Sequence, residues 1–381
     1  MSITTRVISS LGTIAAAEWN AVANPDAATY NPFVSHAFLW ALEISGSANA
    51  KSGWQASHLV LEENGKIVAA CPCYLKSHSM GEYVFDHGWA DAFHRAGGQY
   101  YPKLQVSVPF TPATGPRLLA PTEHLKKQLG AELLKLCKAS HASSIHVTFA
   151  TQQDEVGFQN AAWLPRNDIQ FHWHNAGYKS FDEFLAALSS SKRKNIRKER
   201  EAVKANGISF QLLTGDQLKP EHWDYFYEFY MDTGNRKWGQ PYLTRKFFTL
   251  VQDTMKNEIL LILAERNGAI IAGALNFIGG NTLYGRNWGC VENHPFLHFE
   301  TCYYQAIDFA IARGLSTVEA GAQGEHKLAR GYVPVKTQSY HHLAHPGLSR
   351  AVADYLEHER QAVAENQNEL AAHAPFKHEQ D

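Results

Sequence analysis

The densest run of reactive side chains in this chain is VEAGAQGEHKLARGY, where Glu319, Glu325 and His326 are candidate proton acceptors and Lys327 and Arg330 candidate anion holders. An amine that attacks an acyl carbonyl must lose a proton, which a carboxylate or imidazole in reach can take directly or through water. A polar loop whose groups bond one another fits the same residues. Upstream, Asn287 and Trp288 in YGRNWGC are expected to stand on a facing loop and to contact substrate.

A second group is cationic. Lys192, Arg193, Lys194, Arg197, Lys198 and Arg200 crowd into SSSKRKNIRKERE. On a helix, Ile196 and Val203 would mark the buried side and the cations would project outward. Forked arginine contacts and lysine point charges suit the phosphates of CoA, tRNA or a nucleotide-linked substrate, so Lys192, Arg193, Lys194 and Arg197 are expected to help hold a donor. A solvated helix is the competing reading. The third group, Asp86, His87, Asp91 and Lys103, lies in an aromatic stretch from Phe85 to Leu119 without clear periodicity. It is expected to form a substrate wall, with a packed loop as the alternative.

Other chemistries find less support. There are 20 histidines, but no local cluster has a carboxylate or cysteine at a familiar ligand spacing, and His172 with His174 would supply two ligands only, so no metal is expected. Neither a GxSxG elbow nor a phosphate-binding Gly-rich loop ending in Lys-Ser/Thr is present. Cys71, Cys73, Cys137, Cys290 and Cys302 lack paired spacing and read as reduced, mostly core thiols. With a net charge of -2 the chain is not basic overall; a DNA-binding role is not expected, and any nucleic-acid contact must be local. No stretch reaches the roughly 18 apolar residues of a membrane span, so a soluble, cytoplasmic protein is expected. The sequence does not set its oligomeric state.

These groups need elements to position them. Phe299, Tyr303, Ala306/Ile307 and Ala310/Ile311 recur at helical spacing, and Gly314 supplies a stop. Strand-like NTLYGRNW precedes this helix and STVEAGA follows it, which makes a strand–helix–strand unit with two polar loops at one end. Elsewhere HLVLEENGKIVAACPCYL and LLILAERNGAIIAGALNFI are both hairpins, turning at Asn64-Gly65 and Asn267-Gly268. Each follows a helix, with Ser35 and Thr244 at the caps, and Leu125 to Ala139 followed by IHVTFA repeats the helix-to-strand order of the second half. A duplicated α/β domain accounts for this. The expected division is 1–175, 176–346 and a helical tail, 347–381, packing on the second domain or a partner.

The motifs NPFVSHAFLWALE, YLKSHSMGEYVFDHGWADAF, YYPKLQVSVPFTPATGPRLL, QFHWHNAGYKSFDEFLAALSSSKRKNIRKERE and EAGAQGEHKLARGY resemble those of the bacterial Fem-like family of N-acyltransferases. The resemblance runs from about Asn31 to Lys377. It implies mixed α/β sheets in two tandem GNAT-like domains. It also implies transfer of an acyl or aminoacyl group from acyl-CoA or aminoacyl-tRNA to an amine, such as one on a cell-wall precursor, without a tightly bound cofactor. Two departures stand out: no long helical arm is inserted, and the Gln/Arg-x-x-Gly-x-Gly/Ala pyrophosphate loop of GNAT enzymes is missing. Where Fem-type chains carry a lysine shortly before a Gly-aromatic pair, this one has Lys327 and Arg330 before Gly331-Tyr332. The rival expectation is a non-catalytic binding protein that keeps the fold.

Overall fold

In a computed structural model, which describes residues 3–237, 241–321 and 324–377, the chain forms two compact units. The first takes in Phe33–Ile169 and Lys336–Glu365 with the N-terminal stretch to Ala27; the second takes in Gln170–Val335 with Ala28–Pro32 and the stretch from Asn366. The chain therefore passes between units within the strands Leu164–His174 and Val333–Leu343, and neither unit is one contiguous segment of the kind expected from the sequence.

Local chemistry sets the start of the first unit. Ser35 caps the helix His36–Ile44 by accepting from the Phe38 amide. The strands His58–Glu63 and Lys66–Cys71 pair antiparallel, and the turn between them places Asn64 and Gly65 at φ 52 and 74, the positive values a tight hairpin turn demands. The strand Lys103–Val106, the helix Glu123–Ala139 and the strand Ser144–Ala150 follow. The two strands run parallel, with Leu104 opposite Ile145 and Val106 opposite Val147. Their alternate residues Leu104, Val106, Ile145 and Val147 enter an apolar core beneath Leu129 and Leu133 of the helix.

The second unit repeats the order. The helices Pro220–Lys237 and Arg245–Met255 lead into the hairpin Ile259–Arg266 and Ala269–Ile278, which turns through Asn267 and Gly268 at φ 52 and 78. The strand Thr282–Cys290 then feeds a helical rod, and the strand Thr317–Glu319 returns parallel to it. Gly314, at φ 69, ends the rod by donating its amide to the Ala310 and Ile311 carbonyls. Tyr303, Ala306, Ile307, Ala310 and Ile311 face the core, as the spacing predicts.

Four details differ from expectation. The rod is not α-helical throughout: Leu297–Phe299 and Gln305–Arg313 flank a π turn, Glu300–Tyr304. The strand that begins at Thr282 runs on to Cys290, so Asn287 and Trp288 belong to it and not to a loop. The aperiodic stretch after Phe85 contains the helix His87–Arg95 and the strand Lys103–Val106; the strand escapes the pattern because Lys103 and Gln105 are polar yet fully buried. Finally, the helix Pro346–Ala372 buries Leu348, Val352 and Leu356 against Trp89 and Tyr100 of the first unit, and only its end, at Leu370, joins the second unit's core. All five cysteines are free thiols. Among the described residues, no helix is long and apolar enough to cross a membrane.

Candidate active site

The strands Thr282–Cys290 and Thr317–Glu319 pair for only three residues, from Thr282 opposite Thr317 to Tyr284 opposite Glu319. Beyond that point they part. Thr282–Cys290 stays zipped to Ala269–Ile278, whereas the other chain turns off through Gly321 at φ 77. The zip itself bulges: Asn276 faces Gly285, Leu275 faces Asn287, and Arg286 is the extra residue. Such a bulge twists a strand and re-aims its side chains. Gly285 sits where the strands begin to separate; a Cβ there would meet the Glu319 carbonyl oxygen at 3.2 Å. The gap holds a cavity of about 100 Å³, lined by Asn276, Arg286, Asn287 and Trp288 on one side and by Ala320, His298, Cys302 and Tyr303 on the other.

The π turn places Tyr303 at this cavity and Tyr304 against the basic helix. Both are buried, at 3% and 0% exposure. The Tyr303 hydroxyl is hydrogen-bonded to His326 Nε2 at 2.8 Å. Burial raises the Tyr303 phenol well above its ordinary range. Burial, followed by the nearby Arg330 and Lys327 charges, pushes the His326 imidazole down. The pair is therefore an uncharged hydrogen-bond couple at neutral pH, with His326 open to solvent.

Glu319 and His172 stand directly opposite each other on neighbouring antiparallel strands. Their partners in the alternation, Val318 and Trp173, enter the core with the helical rod, so Glu319 and His172 lie on the other face of the sheet. Glu319 Oε1 and His172 Nε2 are 4.0 Å apart. Burial, helped by His174 and Lys327, holds His172 down to about 3, so it is neutral. Tyr303 and Cys302 thus approach the gap from one face and Glu319 with His172 flank it from the other. Glu319 and His172, 9% and 6% exposed, are not among the residues that line the cavity, which Ala320, the neighbour of Glu319, reaches instead.

Lys327 and Arg330 differ more than the sequence implies. Arg330 is matched: Nη2 and Nε donate to Glu199 at 2.7 and 3.2 Å, Nη1 donates to the His326 carbonyl, and the guanidinium lies 3.5 Å from the centre of the Phe299 ring. Tyr304 also donates to Glu199. Lys327, 1% exposed, donates to the Gly321 carbonyl at 3.0 Å and has no carboxylate partner among the described residues. Burial lowers its ammonium to about 8, which leaves it a mostly protonated, buried cation at neutral pH. The Glu325 side chain lies outside the described residues.

The basic run forms the helix Ser190–Ala205 with Ile196 and Val203 buried. Lys194, Arg197 and Lys198 are exposed, while Lys192 and Arg193 are half-buried. Arg193 donates to the Leu188 carbonyl, and Arg197 stands 3.7 Å from Asp182. Arg200 is bound to Glu300 and Asp308 at 3.0 and 2.8 Å, so it ties the helix to the rod.

The expected wall is not one surface. Asp86 and Lys103 lie inside the first unit, 2% and 0% exposed, where Lys103 Nζ donates to Asp86, Glu82 and Ser79. Opposite charges brought from a loop and a strand neutralise one another and can then be buried together. His87 and Asp91 are exposed on the helix His87–Arg95, and Asn287 and Trp288 line the second unit's cleft.

Tyr303, Cys302, Asn276 and Glu199 escaped the sequence reading, and His172 was weighed there only as a metal ligand. Nothing in the spacing set Tyr303 and Cys302 apart from the other residues of the rod.

Known proteins place this geometry in context. The FemAB-like family model, described as peptidoglycan biosynthesis/recognition, matches residues 10–378. Among solved structures, the chain is similar to FemX, with a TM-score of 0.57 at 11% identity, over 93% of this chain and 100% of that one. It is also similar to a conserved protein of unknown function from Bacteroides thetaiotaomicron VPI-5482, with a TM-score of 0.54 at 11% identity over 89% and 100% of the two chains. A third is L-PGS from Bacillus licheniformis, with a TM-score of 0.51 at 10% identity over 86% and 98%. At these identities the likeness establishes the fold alone, a mixed α/β arrangement that runs through both units. No curated protein matches the sequence.

Proposed function

Because the chain belongs to the FemAB-like family of peptidoglycan biosynthesis/recognition proteins, we propose that it is an N-acyltransferase whose donor occupies the cleft of the second unit. The donor is an acyl-CoA or an aminoacyl-tRNA, and the acceptor is an amine, with a cell-wall precursor as the leading candidate.

One contrast carries this reading. In the second unit the two parallel strands part around an open cavity. In the first unit the corresponding place is filled by the chain itself: residues 107–113 are buried throughout, Gly115 donates to the Phe149 carbonyl, and Arg117 Nε donates to the Thr148 carbonyl. The reading therefore assigns the donor to the second unit alone.

The chemistry follows from the two faces. The acceptor nitrogen attacks the acyl carbon from the Glu319 side, a C–N bond forms, and the nitrogen's proton passes to Glu319, with neutral His172 orienting the carboxylate. The bond from the acyl carbon to the donor's sulfur or ribose oxygen then breaks. Tyr303 supplies the leaving atom with a proton and recovers one from solvent through His326, whose ring takes up a proton at Nδ1 as it passes one on from Nε2, and Glu319 releases its proton to solvent. Lys327 offsets negative charge on the donor.

The test is to titrate the protein with acetyl-CoA, a longer acyl-CoA and aminoacyl-tRNA, then to follow transfer to an amine-bearing muropeptide precursor. Saturable binding of one donor, with transfer lost in Glu319→Gln, is the expected result. Donor binding without transfer favours a binding protein that keeps the fold, and no donor binding at all refutes the proposal.

A further inference from the structure

The rod that carries Tyr303 stands in a register that its backbone alone does not favour. It begins after Phe296, held at φ 64, a left-handed value that a bulky residue adopts only where its surroundings impose it. Glu300–Tyr304 then winds as a π turn, which is wider than an α turn. Beyond the turn the rod is fixed, because Ala306, Ile307, Ala310 and Ile311 are packed in the core. Straightening the turn would therefore swing its own side chains by about 100°, the step of one helical residue, and the Tyr303 hydroxyl would leave His326.

Side chains oppose that change. Gln305 donates its backbone amide to the Glu300 carbonyl and its side-chain amide to Glu300 Oε1 at 2.7 Å. On an α-helix, neighbours on one face are three or four residues apart, and residues five apart point about 140° away from each other. The two side chains meet because the turn is π. Arg200, from the helix Ser190–Ala205, spans the turn: it reaches Glu300 Oε1 at 3.0 Å and Asp308 at 2.8 Å, and its guanidinium carbon lies 4.3 Å from the centre of the Phe181 ring. At the entrance Thr301 donates its hydroxyl to the Leu297 carbonyl at 2.8 Å, a bond of the kind that bends helices. Glu300 is 3% exposed and its Oε2 has no hydrogen-bond partner among the described residues, so the carboxylate is kept at a desolvation cost that an apolar side chain would avoid.

We propose that Glu300, Gln305 and Arg200 are positioning residues: together they lock the π register, and that register aims the Tyr303 hydroxyl at the cleft and at His326. None of the three lines the cleft, so they act through Tyr303 and not on the donor. The lock gives Arg200 a task apart from the other cations of its helix, of which Lys194, Arg197 and Lys198 face solvent. Its effect on transfer rests on the role proposed above for Tyr303, the group that protonates the leaving atom; the lock itself rests on geometry.

The experiment is a double-mutant cycle in the full chain, with Tyr303→Phe as the second member. Gln305→Leu should lower kcat at least about tenfold, through a misaligned acid, and change the donor KM less than about threefold. In the Tyr303→Phe background the same substitution should lower kcat less than about twofold, since no hydroxyl remains to be aimed. Gln305→Lys, which restores a donor to Glu300, should return kcat to within about threefold of the unsubstituted chain. A readout that needs no turnover is the fluorine resonance of Tyr303 in protein labelled with fluorotyrosine, identified by its loss in Tyr303→Phe. His326→Ala should move that resonance, and Gln305→Leu should move it in the same direction. Should Gln305→Leu fail to fold, Arg200→Lys, which keeps the charge but not the fork that spans Glu300 and Asp308, is read in the same way. The inference is overturned by an unmoved resonance, by unchanged turnover, by a Gln305→Lys variant as slow as Gln305→Leu, or by an equal loss in both backgrounds, which marks a general structural role. A moved resonance in a protein that transfers no acyl group counts against the acyltransferase reading alone, and transfer with an unmoved resonance counts against the lock alone.

Discussion

Glu199 joins three parts of the second unit, and its removal makes a quantitative test. It accepts two bonds from Arg330 and one from Tyr304, so it ties the basic helix to the rod and to the segment that carries His326 and Lys327. The pair is well buried, at 10% exposure for the Arg330 side chain and 15% for Glu199. Glu199→Ala would leave the Arg330 guanidinium with the His326 carbonyl and the Phe299 ring as its remaining partners. Stranding one member of a buried pair costs about 3–5 kcal/mol, and the residual exposure here places the effect at the lower end, about 3 kcal/mol. For a unit of this size each kcal/mol moves the thermal midpoint by roughly 2–4 °C, so a loss of about 6–12 °C is expected by circular dichroism. Arg330→Ala should cost a similar amount. The double variant should be less damaged than the sum of the two, with a coupling of about 2–3 kcal/mol, because it strands no charge. Single effects that add to within about 0.5 kcal/mol would refute the claim that this pair anchors the loop.

Three further outcomes follow from other sites. Glu319→Gln should lower kcat by about 10²–10⁴ with little change in KM, whereas Lys327→Met should chiefly raise KM for the donor, a split that steady-state kinetics reads directly. In the first unit, Gly130→Ala places a Cβ 2.1 Å from the Gly157 carbonyl oxygen, where the helix Glu123–Ala139 crosses the helical turn Gln152–Phe158; overpacking against backbone should cost about 1–3 kcal/mol, visible as a lowered urea midpoint. The third concerns acid. His172 is held down to about 3, so as the pH falls from 6.5 towards 3 the unfolded chain takes up a proton that the folded chain refuses. Its contribution is a stability that rises with pH across that window, by at most about 1.4 kcal/mol per pH unit, and His172→Asn should flatten the pH dependence of the melting temperature there.

What the sequence determined by itself was local. The Asn-Gly dipeptides specify the two hairpins because only residues tolerant of positive φ fit those turns. Ser35 and Gly314 end their helices through bonds to backbone groups three or four residues away. The spacing of Tyr303, Ala306, Ile307 and Ala310 identifies the buried face of the rod, and the Fem-like motifs announce the family. Each of these signals is contained within a few consecutive residues.

Tertiary structure decided which polar groups remain available for chemistry. Arg330 and Lys327 look alike in sequence, but Glu199, 131 residues from Arg330, neutralises one, while the other donates to the Gly321 carbonyl and has no carboxylate partner among the described residues. Asp86 and Lys103 look like surface groups until the fold brings them together in the first unit's interior. His172 comes opposite Glu319 only through strand register, and the cleft exists because one strand of a parallel pair turns away after three residues. Charge and hydrogen bonding depend on distance in space, and the partners that set them lie tens to hundreds of residues apart along the chain. A short sequence window records a side chain's type but not the group that will meet it.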